Sequence, residues 1–361
     1  MVPKPNLKGK SPASVEQAEQ GEGQLWRRLW QSVLVFALFI GIPVLVFAVV
    51  VLRPIQPEFL STENSDGVII TIKSGQSVAQ ISQNLAAKGV ITDPFIFRLL
   101  VRLTGEGRKI QAGVYRVQGA KSALDILQIL VAGKVELVQC TLPEGMTVVE
   151  VVAFCAQSGL GDKARYHALL KDESFRQKLN IKASTLEGYL FPETYRFAPG
   201  SSERTILQVM VSQTQQHLTK SLLGAAKKRG LNEFQLLTLA SIIQKEAGNE
   251  QEMPRISAVF HNRLKRGMRL QADPTVIYGI KDFNGNLTRN DLRTSSPYNT
   301  YMKRGLPAGP IANSGLAALH AAAHPEVGNY LYFVATGEGG HYFSHTLKEH
   351  NRAVRRYQLK R

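Results

Sequence analysis

Twenty consecutive uncharged residues near the N-terminus constrain this chain more than any other feature. From Val33 to Leu52 the sequence reads VLVFALFIGIPVLVFAVVVL, and a helix of this length spans about 30 Å, the thickness of the hydrocarbon core of a bilayer. A buried helix of a soluble protein is shorter and amphipathic. A cleaved signal peptide has a shorter apolar run and a small-residue cleavage site, whereas Arg53 and Pro54 follow here. Pro43 is tolerated in a membrane helix, so we expect residues 29–53 to form one transmembrane helix.

Basic residues flank this helix unequally. Lys4, Lys8, Lys10, Arg27 and Arg28 precede it, and Arg53 alone follows it closely. The positive-inside rule therefore predicts a cytoplasmic tail over residues 1–28 and places the rest of the chain outside. Residues 54–66 are polar and contain proline, which is typical of a linker.

Composition narrows the classes of protein that remain. The net charge is +16, which predicts a polyanionic partner such as nucleic acid, anionic lipid or an acidic wall polymer. An exported location argues against nucleic acid, and no RNP or helix-turn-helix signature is evident. With 44% hydrophobic and 20% charged residues, the 361-residue chain can pack two domains. Two cysteines exclude a disulfide-dense scaffold and a four-cysteine zinc cluster.

An internal repeat at an offset of 70 residues organises the segment after the linker. TIKSGQSVAQISQNLAAKGV begins at Thr71 and TLPEGMTVVEVVAFCAQSGL begins at Thr141. Each copy predicts a strand end, a glycine turn and a helix, since Ser77 with Gln80, and Thr147 with Glu150, form capping boxes. Between the copies, GVYRVQ (113–118) predicts a strand and SALDILQILVAG (122–133) a helix. This pattern resembles LysM-type modules, which bind the glycan backbone of peptidoglycan, and we expect a LysM-like α+β region over residues 67–160.

One of the two cysteines, Cys155, lies in the second copy of the repeat, and Cys140 immediately precedes that copy. Cys155 aligns with Leu85 of the first copy, which predicts a buried core position for its thiol. Outside the cytoplasm a disulfide between Cys140 and Cys155 is the alternative that the sequence leaves open.

A helix with a carboxylate on its apolar face is expected after Asn232. Asn232 is a natural N-cap with Gln235 at the third helical position. An apolar stripe then runs at helical spacing through Leu236, Leu239, Ala240 and Ile243, and the next position on it is Glu246. Burial and the negative end of the helix dipole both disfavour ionisation, so the pKa of Glu246 should rise, as a general acid requires. The alternative is a solvated glutamate, or one paired with Arg255 or Arg263.

Downstream of Glu246 the sequence predicts a second helix, a loop and a hairpin. The helix begins near Pro254 and ends at Gly267, and its polar face, with Arg263, Lys265 and Arg266, is either solvated or in contact with an anionic polymer. Asp273 followed by Pro274 is typical of an N-cap and a first-turn proline. Residues 295–315 form a loop rich in Pro, Gly, Asn and Tyr, suited to a sugar groove, and residues 330–346 form a β-hairpin before a basic C-terminal helix.

Seven motifs make this chain resemble the YceG-like family of endolytic murein transglycosylases. They are LEGYLFPETYRF (186–197), ASIIQKEAG (240–248), NRLKRGMRLQADPTVIYG (262–279), SPYNTY (296–301), GLPAGPIANSG (305–315), AAAHP (321–325) and GGHYFSHTLKEHN (339–351). The resemblance covers the whole exported part. It implies an α+β fold, a catalytic domain over residues 161–361, and a single-span enzyme of the cell inner membrane with its catalytic domain in the periplasm.

The resemblance also implies an activity and its residues. Family members cut nascent glycan strands between N-acetylmuramic acid and N-acetylglucosamine and leave a 1,6-anhydro end, with no cofactor or metal. The family's catalytic glutamate maps to Glu246, and motif membership suggests Tyr298, Asn299, Tyr301 and Glu193 as substrate contacts. Peptidoglycan synthases are the implied protein partners, because cutting new strands requires proximity to their synthesis.

One carboxyl group is enough for this chemistry. Glu246 would protonate the glycosidic oxygen and then, as a carboxylate, take the proton of the muramic 6-hydroxyl that attacks C1. Ordinary hydrolysis would need a second acidic residue, for which Glu187, Glu193 and Asp273 are the candidates.

Two other functions compete with this interpretation. His320 and His324 have the i, i+4 spacing of zinc ligands, and His341 and His345 could add more, but HAAAH lacks the glutamate of H-E-x-x-H. A non-catalytic anchor that only holds glycan is the second alternative.

Overall fold

The computed structural model describes residues 27–54, 67–119 and 121–359 as a mixture of helices and short strands. The helices are α1 (Arg27–Leu52), α2 (Val78–Ala87), α3 (Pro94–Thr104), α4 (Ala123–Val131), α5 (Val148–Gln157), α6 (Lys163–Lys171), α7 (Glu173–Lys178), α8 (Glu203–His217), α9 (Lys220–Lys228), α10 (Glu233–Glu246), α11 (Met253–Lys265), α12 (Asp273–Gly279), α13 (Leu316–Ala323) and α14 (Leu347–Tyr357). The strands are β1 (Val68–Ile72), β2 (Gly113–Val117), β3 (Val138–Thr141), β4 (Thr194–Phe197), β5 (Tyr332–Ala335) and β6 (His341–Ser344). Single turns of 3₁₀ helix occupy Glu106–Arg108, Glu250–Glu252 and Asp291–Arg293.

Helix α1 is long and apolar enough to cross a membrane, as the sequence predicts. It widens to a π-helical turn over Ala37–Gly41, just before Pro43. Proline lacks an N–H and its ring collides with the carbonyl four residues earlier, so a wider turn there relieves both problems. The predicted tail up to residue 26 and residues 55–66 of the linker lie outside the described residues.

The chain divides into two compact units, residues 1–136 and residues 137–361. This division lies earlier than the boundary near residue 160 that the repeat suggests. The reason is that the second copy packs into the core of the second unit, where Val151, Val152 and Cys155 are buried. Its glycine turn also contacts helix α10, since Lys245 Nζ donates a 3.3 Å hydrogen bond to the Gly145 carbonyl.

The first unit is built on an antiparallel strand pair. Strands β1 and β2 pair from Val68 opposite Val117 to Ile72 opposite Gly113. Helices α2, α3 and α4 contribute apolar side chains to the same core, including Leu85. Burying one such leucine fully contributes about 1.5–3 kcal/mol. The predicted strand at residues 113–118 and the helix at residues 122–133 are both confirmed within one or two residues.

The two repeat copies have the same local structure and different strand partners. Both predicted capping boxes form, and Gly75 and Gly145 adopt φ of +80° and +81°, which favours glycine. Strand β1 pairs with β2, whereas β3 pairs antiparallel with β4 of the second unit. The repeat therefore predicts the strand-turn-helix units but not the sheets that they enter.

The two cysteines are buried close to each other in the second unit. Their Sγ atoms lie 3.9 Å apart as free thiols, one on β3 and one on α5. Cys155 and Leu85 are both fully buried. This confirms the core position that the alignment of the two residues predicts for Cys155.

Helix α10 runs through the core of the second unit. The predicted capping box of Asn232 and Gln235 forms, and Leu236, Ala240 and Ile243 are fully buried. Helices α11 and α13 pack against α10. The predicted hairpin is also present, with β5 and β6 antiparallel and packed against α14. These elements enclose the C-terminal end of α10.

Candidate active site

A cavity of about 550 Å³ surrounds the C-terminal end of α10. Its walls come from α10, α11, the start of α12, the loop at Tyr301, the hairpin β5–β6 and α14. The titratable and cationic side chains that line it are Glu246, Arg263, Asp273, Tyr301, Tyr332, His341 and His350. Elements far apart in the chain therefore meet at one concave site.

Glu246 is the last residue of α10, and its half-buried side chain faces this cavity. The pKa of Glu246 is raised to about 8, chiefly by burial and in smaller part by the Asp273 carboxylate, while Arg263 acts to lower it. No hydrogen bond or ion pair from the described residues reaches its carboxyl group. Arg255, one of the expected partners, instead pairs with Glu326 at 3.0 Å. A carboxyl group that stays protonated near neutral pH can donate a proton to a leaving group.

Arg263 is buried, which corrects the expectation of a solvated or polymer-binding side chain. Its Nε and Nη1 atoms donate to the carbonyls of Leu331 and Leu270 at 2.7 and 2.6 Å, and its guanidinium lies 5.2 Å from the Tyr332 ring centroid. Position 263 follows Ile256 by seven residues, so helical spacing places it on the apolar face of α11. That spacing was the signal in the sequence for a buried cation beside the site.

Asp273 and Tyr301 form a hydrogen-bonded pair on the cavity wall. The Tyr301 hydroxyl donates to Asp273 Oδ1 at 2.5 Å. Asp273 was expected to be the N-cap of its helix, but the N-cap is Ala272 and the Asp273 side chain makes no cap hydrogen bond. Helix α12 begins at Asp273, one residue earlier than the expected first-turn proline Pro274. The Asp273 carboxylate is therefore free of the cap and accepts a hydrogen bond from Tyr301.

Gln271 lines the same cavity with a strained backbone. Its φ is +51°, which is uncommon for a residue other than glycine. Thr300 holds the segment, because its carbonyl accepts from the Gln271 N–H at 3.2 Å and its Oγ1 accepts from the Ala272 N–H at 3.0 Å. Strain held by such contacts is typical of functional sites.

The turn of the hairpin is fastened to the end of α10. Asn249 Nδ2 donates to the Gly339 carbonyl at 3.3 Å. A Cβ atom at Gly248 would lie 3.0 Å from the same carbonyl oxygen, so a larger residue there would crowd the hairpin turn. The hairpin residue His341 is bound by Glu252, whose carboxylate accepts from its backbone N–H at 2.7 Å and contacts its Nδ1 at 3.0 Å.

The other residues expected at the site lie elsewhere. Asn299 is buried, and its side-chain amide makes its hydrogen bonds within its own loop. It donates to the carbonyls of residues 291, 292 and 294. It accepts from the backbone N–H groups of residues 301 and 302. Tyr298 packs edge-on against Tyr278, 4.7 Å between ring centroids. Glu193 is exposed and accepts from Gln213 at 3.0 Å. None of these three side chains lines the cavity at Glu246.

Glu187 is a buried carboxyl outside the cavity. It accepts hydrogen bonds from the Val148 N–H at 3.0 Å and from the Tyr278 hydroxyl at 2.9 Å. Burial raises the pKa of Glu187 to about 7, and these two hydrogen bonds oppose the rise. Glu187 therefore joins the start of α5 to α12 and does not face Glu246 across the cavity.

A larger cavity of about 940 Å³ lies at the other end of α10 and lacks a free acid. It is lined by Glu326, which is paired with Arg255, and by His261, whose Nε2 lies 2.8 Å from the Ala322 carbonyl. The chemistry of proton donation therefore points to the smaller cavity.

The described residues contain no group of three His, Cys, Asp or Glu side chains placed to hold a metal ion. The rings of His320 and His324 stack with their centroids 5.9 Å apart, and His324 Nδ1 lies 3.3 Å from the His320 carbonyl. His341 contacts Glu252 instead. The histidine spacing that suggested zinc therefore does not bring a ligand set together.

Comparison with known proteins decides the family. The model of the YceG-like family matches residues 70–356 of this chain. The chain belongs to the YceG-like family. A protein of Bacillus subtilis (strain 168) named endolytic murein transglycosylase is 36% identical over 323 residues, which are 85% of this chain and 88% of that relative.

Two further comparisons support this membership. A Streptococcus pneumoniae serotype 2 (strain D39) protein with the same name is 28% identical over 320 residues, 80% of this chain and 58% of that longer relative. The 2.6 Å crystal structure of a YceG-like protein from Listeria monocytogenes is 34% identical with a TM-score of 0.56, and the match covers 80% of this chain and 99% of that one. The architecture of the YceG-like family thus extends over both units described above.

Proposed function

We propose that this chain is an endolytic murein transglycosylase that cleaves nascent peptidoglycan strands between N-acetylmuramic acid and N-acetylglucosamine. The observation that carries the proposal is Glu246, a cavity-facing carboxyl group without an ion-pair partner among the described residues and with a pKa raised to about 8 by burial. The relatives named endolytic murein transglycosylase support the substrate class and the reaction.

In the proposed reaction Glu246 donates its proton to the glycosidic oxygen, and the bond from this oxygen to C1 of the muramic residue breaks. The 6-hydroxyl of the same residue then attacks C1, loses its proton and closes the 1,6-anhydro ring. The Glu246 carboxylate is the simplest acceptor of that proton. No water is consumed, and strand elongation ends at the anhydro residue.

The arrangement of carboxylates favours this reaction over hydrolysis. A hydrolase needs a second carboxylate about 5–5.5 Å away for retention or about 6.5–9.5 Å away for inversion. Of the three candidates, Glu187 and Glu193 lie outside the cavity, whereas Asp273 lines it and accepts a hydrogen bond from the Tyr301 hydroxyl. We infer that Asp273 acts through its charge, which raises the pKa of Glu246.

Aromatic side chains of the cavity are the proposed sugar contacts. Tyr301, Tyr332 and Phe333 line it beside Glu246, and flat rings pack well against the apolar faces of sugars. Of the substrate contacts expected from the sequence, Tyr301 therefore remains a proposed sugar contact. Asn299 instead stabilises the loop that carries Tyr301. Tyr298 and Glu193 would contact only sugars bound farther along a strand.

The remaining parts of the proposal concern location and partners. Helix α1 would anchor the enzyme in the cell inner membrane with the N-terminus in the cytoplasm, since most flanking cations precede it. The LysM-like region would hold glycan, and wall synthases would supply nascent strands. The +16 charge suits an acidic wall polymer or anionic lipid headgroups.

The test compares products of un-crosslinked glycan strands. The full-length chain in detergent should release fragments that end in 1,6-anhydromuramic acid, identified by mass. Glu246→Gln should release none, and Glu250→Gln, an exposed glutamate four residues later, should match the wild type. Reducing ends from the wild type would mean hydrolysis, and glycan binding without any cleavage would mean a non-catalytic anchor.

A further inference from the structure

His341 and Glu252 form a second acid–base pair at the cavity that contains Glu246. His341 is the first residue of β6 and lines the cavity. Its Nδ1 lies 3.0 Å from Glu252 Oε2, and its backbone N–H donates to Oε1 of the same carboxylate at 2.7 Å. The two side chains are only 12% and 16% exposed, so water competes little for this contact.

This contact determines which ring nitrogen of His341 is free. An ionised carboxylate can only accept hydrogen bonds, so the proton of the neutral imidazole lies on Nδ1. Nε2 is then left with its lone pair, and no described residue donates to it. A histidine whose Nδ1–H is held by a carboxylate has the arrangement of a general base.

The hairpin that carries His341 is joined to the end of α10, where Glu246 lies. Asn249 donates a hydrogen bond to the Gly339 carbonyl, and Gly248 approaches the same carbonyl closely. Within the turn, the Thr336 N–H donates to the Gly340 carbonyl at 2.8 Å. These contacts keep the hairpin beside the helix end, and both side chains line the one cavity.

We propose that His341, oriented by Glu252, is the base that accepts the proton of the muramic 6-hydroxyl. This inference rests on the proposed function and divides its two proton transfers between two groups. Glu246 protonates the glycosidic oxygen as the bond from C1 to that oxygen breaks. The bond from O6 to C1 forms, and the O6 proton passes to His341 Nε2. The imidazolium then releases its proton to water and Glu246 regains one, so the enzyme is restored.

Several charged or titratable groups surround this pair. Those lining the cavity are Glu246, Arg263, Asp273, Tyr301, Tyr332 and His350. Arg255 lies near Glu252 on the other side of the contact. The pH dependence must therefore be compared between variants that leave all of these groups in place.

The test measures the rate of anhydro-end formation against pH with the full-length chain in detergent and un-crosslinked glycan strands. His341→Gln should lower kcat about 10²–10⁴-fold with little change in KM, because general base catalysis contributes that much. The alkaline limb of the kcat profile, where Glu246 with its pKa of about 8 loses its proton, should stay in place. Added imidazole should restore part of the activity of His341→Ala. His324→Gln, an exposed histidine outside the cavity, is the matched control.

Glu252→Gln provides the second variant. A neutral amide stabilises the imidazolium that forms during proton transfer less than a carboxylate does, so kcat should fall while KM stays the same. Wild-type kcat in His341→Gln would overturn the inference, as would a His341→Ala variant that imidazole does not restore. The proposed function would remain supported even if the role of His341 were refuted, provided that Glu246→Gln is inactive in the same experiments. If the wild type forms no anhydro ends, the proposed function itself fails.

Discussion

The Tyr301 hydroxyl donates a 2.5 Å hydrogen bond to Asp273 Oδ1 on the wall of the cavity that contains Glu246. Asp273 is exposed, yet its carboxylate raises the pKa of Glu246 beyond the effect of burial, and the buried Arg263 opposes it. The protonation of the proposed acid is therefore set by its burial and by two charged groups that lie 17 and 27 positions later in the chain.

Replacing Asp273 should change the alkaline limb of the pH profile. In Asp273→Asn the negative charge is lost while an oxygen remains to accept from Tyr301. The pKa of Glu246 should then fall below about 8. Glu246 would lose its proton at a lower pH, so the alkaline limb of the kcat profile should shift to lower pH. Asp282→Asn, at an exposed site, should leave the limb in place. An unmoved limb in Asp273→Asn would show that the charge does not act on Glu246.

Removing the Arg263 guanidinium should destabilise the second unit. Arg263→Leu leaves the carbonyls of Leu331 and Leu270 without their donors, and unpaired buried groups cost about 1–3 kcal/mol each. Arg266→Leu removes an exposed guanidinium on the same helix and should change stability by less than about 0.5 kcal/mol. Thermal unfolding of both variants beside the wild type checks this, and equal melting temperatures would contradict it.

Asn299 should matter for the loop rather than for sugar contact. Asn299→Ala removes three donated and two accepted hydrogen bonds, so the expected loss of stability is about 1–3 kcal/mol. Asn286→Ala, on an exposed part of the preceding segment, is the control. If Asn299→Ala melts like the wild type and only weakens glycan binding, the loop role is refuted.

Glu187 should make the second unit less stable as pH rises. Its folded-state pKa, about 7, lies above the ordinary value of 4.5 because of burial, so its stabilising contribution is complete below pH 4.5 and is lost as pH rises through about 7. In Glu187→Gln, the fall in unfolding free energy between pH 4.5 and a pH above 7 should be smaller than in the wild type by about 3 kcal/mol. The slope of unfolding free energy against pH measures it, with the exposed Glu338→Gln as reference. Parallel slopes in both variants would rule the effect out.

The buried thiols should be protected from alkylation. The contact with Cys140 and burial both raise the pKa of the Cys155 thiol, which lowers its reactivity. We expect iodoacetamide to add two groups only after denaturation, as measured by mass. A mass lower by two hydrogens, with no alkylation in denaturant, would show instead that Cys140 and Cys155 form a disulfide.

Local signals in the sequence predicted much of the fold. Helical spacing placed Glu246 at the end of the stripe from Leu236 to Ile243, and capping boxes at Ser77, Thr147 and Asn232 marked where helices begin. The hairpin β5–β6 was predicted within a residue or two. These features follow from residues three to twelve positions apart, whose geometry a single helix or hairpin determines.

The sequence by itself therefore determined the membrane-length helix, the strand-turn-helix units and the carboxyl group on an apolar face. Only the tertiary structure decided which carbonyls Arg263 binds, that Asn299 is used within its loop, and that Glu252 meets His341 from 89 positions away. It also decided that the second repeat packs with the second unit. The physical reason is that residue spacing defines the faces of one element, whereas contacts between distant elements depend on how those faces pack together.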